Sequence, residues 1–110
     1  MPIDAAAQAA RRARYDKKRN SERRAALIGL KSGPCTDCGG LFPSCVMEFD
    51  HRPGETKMPG IKGVGQMVQR RAYKWEEVLA EVAKCDLVCA NCHRIRTQSR
   101  EDYLMKETNA

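Results

Sequence analysis

Trp75, Val78, Leu79 and Val82 fall at i, i+3, i+4 and i+7, with Glu76, Glu77 and Glu81 mostly on the other side. That period predicts an amphipathic helix from Trp75 to about Lys84-Cys85. Upstream, Asp4 is a fair N-cap and Ala5–Arg19 are nearly all good helix formers. Asn20-Ser21 can cap a second helical stretch from Glu22 to Leu30, which Gly29 and Lys31-Ser32-Gly33-Pro34 end. The second stretch has Ala25, Ala26, Leu27, Ile28 and Leu30 to bury. The first has no large apolar stripe, the pattern of a segment ordered by a partner.

Leu41-Phe42 and Val46-Met47-Glu48-Phe49 predict two short strands joined around Pro43-Ser44-Cys45. Pro53, Gly54, Pro59, Gly60, Gly63 and Gly65 predict loop from Arg52 to Gly65, and Gln66–Ala72 fits no single template. Asp86-Leu87-Val88 predicts a short extended segment, and Cys92 onward a closing helix to about Met105. The division expected is a basic helical extension over residues 1–33 and an α+β domain over residues 34–110.

Charge changes this picture more than length does. Of 20 Lys and Arg and 14 Asp and Glu in 110 residues, eight basic and two acidic residues lie between Arg11 and Arg24. That segment accounts for the whole net charge of +6, and the rest, 12 basic against 12 acidic, is neutral. A polyanion is the obvious partner for such an appendage. Arg11, Arg12, Arg14, Lys17, Lys18 and Arg19 are the DNA-contact candidates there. No run approaches the ~20 apolar residues of a membrane span.

Two Phe, three Tyr and one Trp leave little for a core, so a staple is expected. Six cysteines could form a disulfide framework, but Met1-Pro2-Ile3-Asp4 carries no apolar signal segment. Reduced thiols and a cytoplasmic setting are therefore expected, and the pairs Cys35-x-x-Cys38 and Cys89-x-x-Cys92 read as a four-thiolate zinc site. Cys45 and Cys85 lie outside the pairs and read as small buried apolar residues.

Asp50-His51 ends an apolar run, pairing a ligand for a hard cation with a side chain suited to be a base. For both to serve one site the strand must end or bend there, and Arg52-Pro53-Gly54 suits an ending. After the second cysteine pair, His93, Arg96, Thr97 and Arg100 share one helix face, a surface that could hold a metal and a phosphate.

C-x-x-C-G, then F-D-H-R, then L-V-C-x-N-C-H-R resemble the HNH endonucleases of the ββα-metal (His-Me finger) superfamily, small stand-alone phage proteins especially, over Cys35–Arg100. The paired knuckles are also similar to the phage endonuclease VII branch. The resemblance implies a ββα-metal core stapled by structural Zn²⁺ on Cys35, Cys38, Cys89 and Cys92. His51 is implied as general base, with Asp50 and His93 holding one catalytic Mg²⁺ or Mn²⁺. The implied activity is DNA phosphodiester cleavage in a bacterial or phage-infected cell. Implied partners are duplex DNA, including nicked or branched forms, and phage packaging or other DNA-processing proteins, without a membrane or a small-molecule substrate. The central Asn of the HNH name is missing from Lys84–Cys89. Arg94, Arg96 and Arg100 are phosphate-contact candidates on chemistry alone, and the basic residues of the Arg52–Lys74 insert suggest a second DNA contact. The competing function is a non-catalytic zinc-ribbon module that binds nucleic acid, which has no use for Asp50, His51 or His93. A redox role for the Cys-x-x-Cys pairs lacks the βαβ setting.

Overall fold

The computed structural model describes residues 4–108, with side chains described as far as Arg100. Helix α1 runs unbroken over Ala5–Leu30, with the Asp4 carboxylate accepting from the Ala6 N–H at 2.9 Å. Asn20-Ser21 does not divide it. Neither residue costs more than a few tenths of a kcal/mol inside a helix, and good formers flank both. None of its residues is buried. Leu27 alone packs on the core, whereas Ile28 and Leu30, expected to bury, are exposed. A two-pronged ion pair from Arg71 to Asp16, 2.7 Å to each oxygen, also ties the helix to the body.

Two strands form an antiparallel sheet, β1 (Met47–His51) and β2 (Cys85–Cys89), with Met47 opposite Cys89 and His51 opposite Cys85. Leu41-Phe42 is not the expected first strand. Leu41 is exposed, and a short 3₁₀ turn over Ser44–Val46 leads directly into β1. The partner of β1 comes instead from the far side of the insert, from the segment read as merely extended. Helix α4 (Ala90–Thr108) follows β2 without a loop.

The insert between the strands is not a bare loop. It contains helix α2 (Val64–Val68) and helix α3 (Trp75–Val82). Ile61, Val64, Met67 and Val68 bury themselves against Val78, with Phe49, Tyr73 and Trp75 around them. Glycine and proline punctuation hid an apolar spacing that fits one helix face. In α3, Glu81 lies on the inner side, 1% exposed, while Leu79 is 40% exposed. Glu81 follows Val78 by one turn and therefore shares its buried face. A second, smaller cluster joins Cys35, Met47, Val88 and Cys89.

Met67, fully buried, is the test of the insert as core. Met67→Ala is expected to lower unfolding free energy by about 2–4 kcal/mol. Ile28→Ala on exposed α1 is expected to change it by less than about 0.5 kcal/mol. Denaturant titration of both variants checks this, and equal effects would contradict the packing described.

Candidate functional site

The chain brings the four paired cysteines to one point. One ligand sulfur from each of Cys35, Cys38, Cys89 and Cys92 lies within 4.8 Å of the others. Four sulfurs at ~2.3 Å around a tetrahedral ion stand about 3.8 Å apart, so a small contraction forms a Zn²⁺ site. All six cysteines are free thiols. The first knuckle turns through Gly39 at φ +73°, where a side chain is strained, and closes with Gly39 N–H to Cys35 O at 2.9 Å. The second spans the end of β2 and the first turn of α4, where Cys92 N–H points at the Cys89 sulfur at 3.4 Å.

The four thiols shift one another's acidity. Backbone N–H groups of Cys38, Cys89 and Asp37 stabilise the Cys35 thiolate, the first most strongly, and lower its pKa to about 6. Cys92 is pushed up to about 12, chiefly by the neighbouring Cys89 side chain and by burial. Four thiolates repel one another unless a cation sits among them, and that is what the cluster can hold.

Beside the clamp, the strands place carboxylates where α4 places cations. Glu48 and Asp50 alternate with Phe49 and therefore share one face of β1, the face toward α4. His93 Nδ1 lies 2.6 Å from Glu48 Oε1, and its Nε2 lies 3.4 Å from Asp50 Oδ1. A carboxylate only accepts, so Nδ1 donates to Glu48, while Nε2 faces the Asp50 carboxylate. Two ligands of one octahedral ion at ~2.1 Å stand about 3 Å apart, which Asp50 and His93 nearly match. Among the described residues, only the four cysteines bring three or more such donor atoms together.

Asp50 is 5% exposed and is held by two arginines. Arg100 reaches it at 3.1 and 2.9 Å and Arg96 at 2.9 Å. Burial alone raises the Asp50 carboxyl, but the hydrogen bonds from Arg100 and Arg96 outweigh it and set it at about 2. Arg96 also donates to Asp37 twice at 2.6 Å and to Asp86 at 3.1 Å. Its guanidinium joins the first knuckle, both strands and α4, so it is spent on carboxylates rather than open to a phosphate. Arg100 is also engaged, though its side chain is 47% exposed. Arg94 and the α1 residues Arg11, Arg12, Arg14, Lys17 and Lys18 are exposed, while Arg19 is half-buried beside Asn20.

His51 stands apart from this group. It is the last residue of β1, and the strand remains paired to its end, so its side chain takes the face opposite Asp50. There its Nε2 meets Glu81 Oε2 at 2.6 Å. Asp50 and His93 thus converge, and His51 flanks them from the other face of the same strand end. Two residues were not evident from the sequence. Glu48 could have been found two positions before Asp50 on the same strand face. Glu81 looked like one more exposed helix glutamate.

Cys45 and Cys85 also differ from expectation. Cys45 is exposed. Cys85 is half-buried, its thiol 3.4 Å from the Glu81 carbonyl, and burial with the charge of Glu81 pushes it up to about 11. No helix among the described residues is long and apolar enough to cross a membrane. Comparison of the chain with protein-family models, curated proteins and solved structures found no match.

Thiol labelling tests the clamp. With Zn²⁺ bound, Cys45 is expected to react first at pH 8, while Cys85, below its pKa of about 11, stays largely a slow-reacting thiol. Chelation should release four further thiols together with loss of folded structure, because structural metal binding is folding free energy. Release of four thiols with no loss of helical signal would contradict a structural role.

Proposed function

We propose that this chain is a metal-dependent DNA endonuclease of the HNH type, with a ββα-metal core formed by β1, β2 and α4. The observation that carries the reading is the meeting of Asp50 and His93 across β1 and α4, with His51 at the same strand end on the opposite face. Phosphodiester hydrolysis is an in-line displacement, with attacking and leaving oxygens on opposite sides of phosphorus. One phosphate can reach both the Asp50–His93 pair and His51 only beyond the end of β1, where Arg52-Pro53-Gly54 leaves the strand.

Asp50 and His93 would hold one Mg²⁺ or Mn²⁺, which when bound stabilises charge developing on the phosphate and the leaving oxygen. Glu48 accepts the hydrogen bond of His93 Nδ1–H, which would leave Nε2 to face a bound cation, as partners of metal-ligating histidines commonly do. His51 accepts the proton of the attacking water. Arg100, half in solvent, can exchange Asp50 for a substrate phosphate. The exposed basic residues of α1 and Arg94 add phosphate contacts that carry no sequence information. The four cysteines fix the structure through Zn²⁺ and take no part in the reaction.

One observation favours the non-catalytic zinc-ribbon alternative. Both Asp50 oxygens already accept from arginine, which competes with a cation at that carboxylate.

Supercoiled plasmid is the direct test. Nicked or linear product is expected with Mg²⁺ or Mn²⁺ and not with chelator. His51→Ala is expected to lose cleavage by at least a hundredfold while keeping DNA binding and zinc, since removing a general base costs about 10²–10⁴. Plasmid left intact under every metal, with binding retained, would establish the binding module instead. Replacing Arg11, Arg12 and Arg14 with Ala should weaken binding evenly across sequences and lower the salt slope by about 0.9 for each phosphate no longer neutralised.

A further inference from the structure

Glu81 is a carboxylate with 1% exposure on a helix where Glu76 is exposed and Glu77 half-buried. A buried acid is costly unless its oxygens are satisfied, and here both are. Oε2 accepts from His51 Nε2 at 2.6 Å and from the Met58 N–H at 3.2 Å. Oε1 accepts from Lys84 Nζ at 3.0 Å, and Lys84 in turn donates to the Thr56 carbonyl at 2.8 Å. Burial alone raises the Glu81 carboxyl, but the hydrogen bonds from His51, Lys84 and Met58 outweigh it and hold it below its usual value. The group is ionised and therefore accepts only.

This fixes the imidazole. Nε2 must be the protonated nitrogen, because it faces a carboxylate. No buried side-chain nitrogen or oxygen among the described residues lacks a partner. His51 Nδ1 makes no hydrogen bond to the described residues, so it must open to solvent. The ring is thus clamped at its inner nitrogen and turns its outer one to solvent.

We propose that Glu81 is the positioning residue for His51, selecting the Nε2–H tautomer and aiming Nδ1 at the position of the attacking water. The inference rests on the reading of His51 as general base. It adds a carboxylate from α3, an element of the insert that the ββα unit does not contain. The same carboxylate binds the Met58 N–H, so the fold of the insert and the orientation of the base depend on one group. Oriented bases of other hydrolytic sites show what such a partner is worth. Removing it leaves the base in place with the wrong tautomer or a loose ring, and the loss falls on turnover rather than binding.

Two measurements on the full-length zinc-loaded protein test this. The first is the nitrogen NMR spectrum of the His51 ring, assigned by comparison with His51→Ala. The Nε2–H pattern is expected, and an Nδ1–H pattern would overturn the proposal whether or not the protein cuts DNA. The second is the kinetics of Glu81→Gln, which keeps size and packing and removes the obligatory acceptor. A fall in kcat of about ten- to a hundredfold is expected, with KM, DNA affinity and zinc content unchanged. Glu81→Asp, which retains the carboxylate, should recover part of the loss. A folded Glu81→Gln protein with native kcat and reduced thermal stability would show that Glu81 serves only to pin the insert, and would overturn the proposal. Should Glu81→Gln fail to fold, the ring spectrum of the native chain still decides. A native protein that shows the Nε2–H pattern but does not cleave DNA under any metal would count against the base reading of His51, and so against the proposal that depends on it.

Discussion

The convergence of four cysteine sulfurs is the constraint on which the rest of this structure depends. Cys35 and Cys38 belong to a tight turn after α1, Cys89 ends β2, and Cys92 sits in the first turn of α4. Nothing else in the small cluster around Met47 and Val88 has the apolar area to hold these segments in register. A two-stranded sheet is marginal by itself. A metal ion held at this corner would fix the direction in which α4 leaves the sheet, and therefore which residues of α4 stand over Asp50.

Charge completes what the clamp begins. Arg96 draws Asp37, Asp50 and Asp86 onto one guanidinium, linking the knuckle, both strands and α4. Asp50 and Asp86 are directly opposite in the sheet, where two carboxylates repel. Arg96 makes that pairing tolerable. The arrangement leaves Asp50 ionised beside His93. Arg96 is the more buried of the two arginines, 19% exposed against 47% for Arg100. On the other face, the insert supplies the larger core and Glu81, so the segment that interrupts the sheet also supports its last residue.

Paired cysteine spacing was readable because metal geometry permits few alternatives. The α3 helix was readable from periodicity, and the nearness of Asp50 to His93 from the resemblance to the HNH pattern. What escaped was set by tertiary context. Asn20-Ser21 carries a capping signal, yet the helix runs through it because its neighbours favour continuation. The strand partner of β1 lies 33 residues beyond it, from Arg52 through Lys84, and local pattern favoured the nearer Leu41-Phe42. Glycines masked the Ile61, Val64, Met67 and Val68 spacing. Glu81 was misplaced because burial of a charge is decided by His51, Lys84 and Met58, none of which its own helix reveals. Arg96 looked free for phosphate because three of its acceptors come from distant segments.

The central claim is that one clamp of thiolates serves folding while Asp50 and His93 make a second, separate cation site. Mn²⁺ binding to the zinc-loaded protein, followed by electron paramagnetic resonance, tests it most directly. One Mn²⁺ per chain is predicted, lost in His93→Ala with zinc content and helical signal unchanged. Absence of Mn²⁺ binding in the native chain, or its persistence in His93→Ala, would contradict the account.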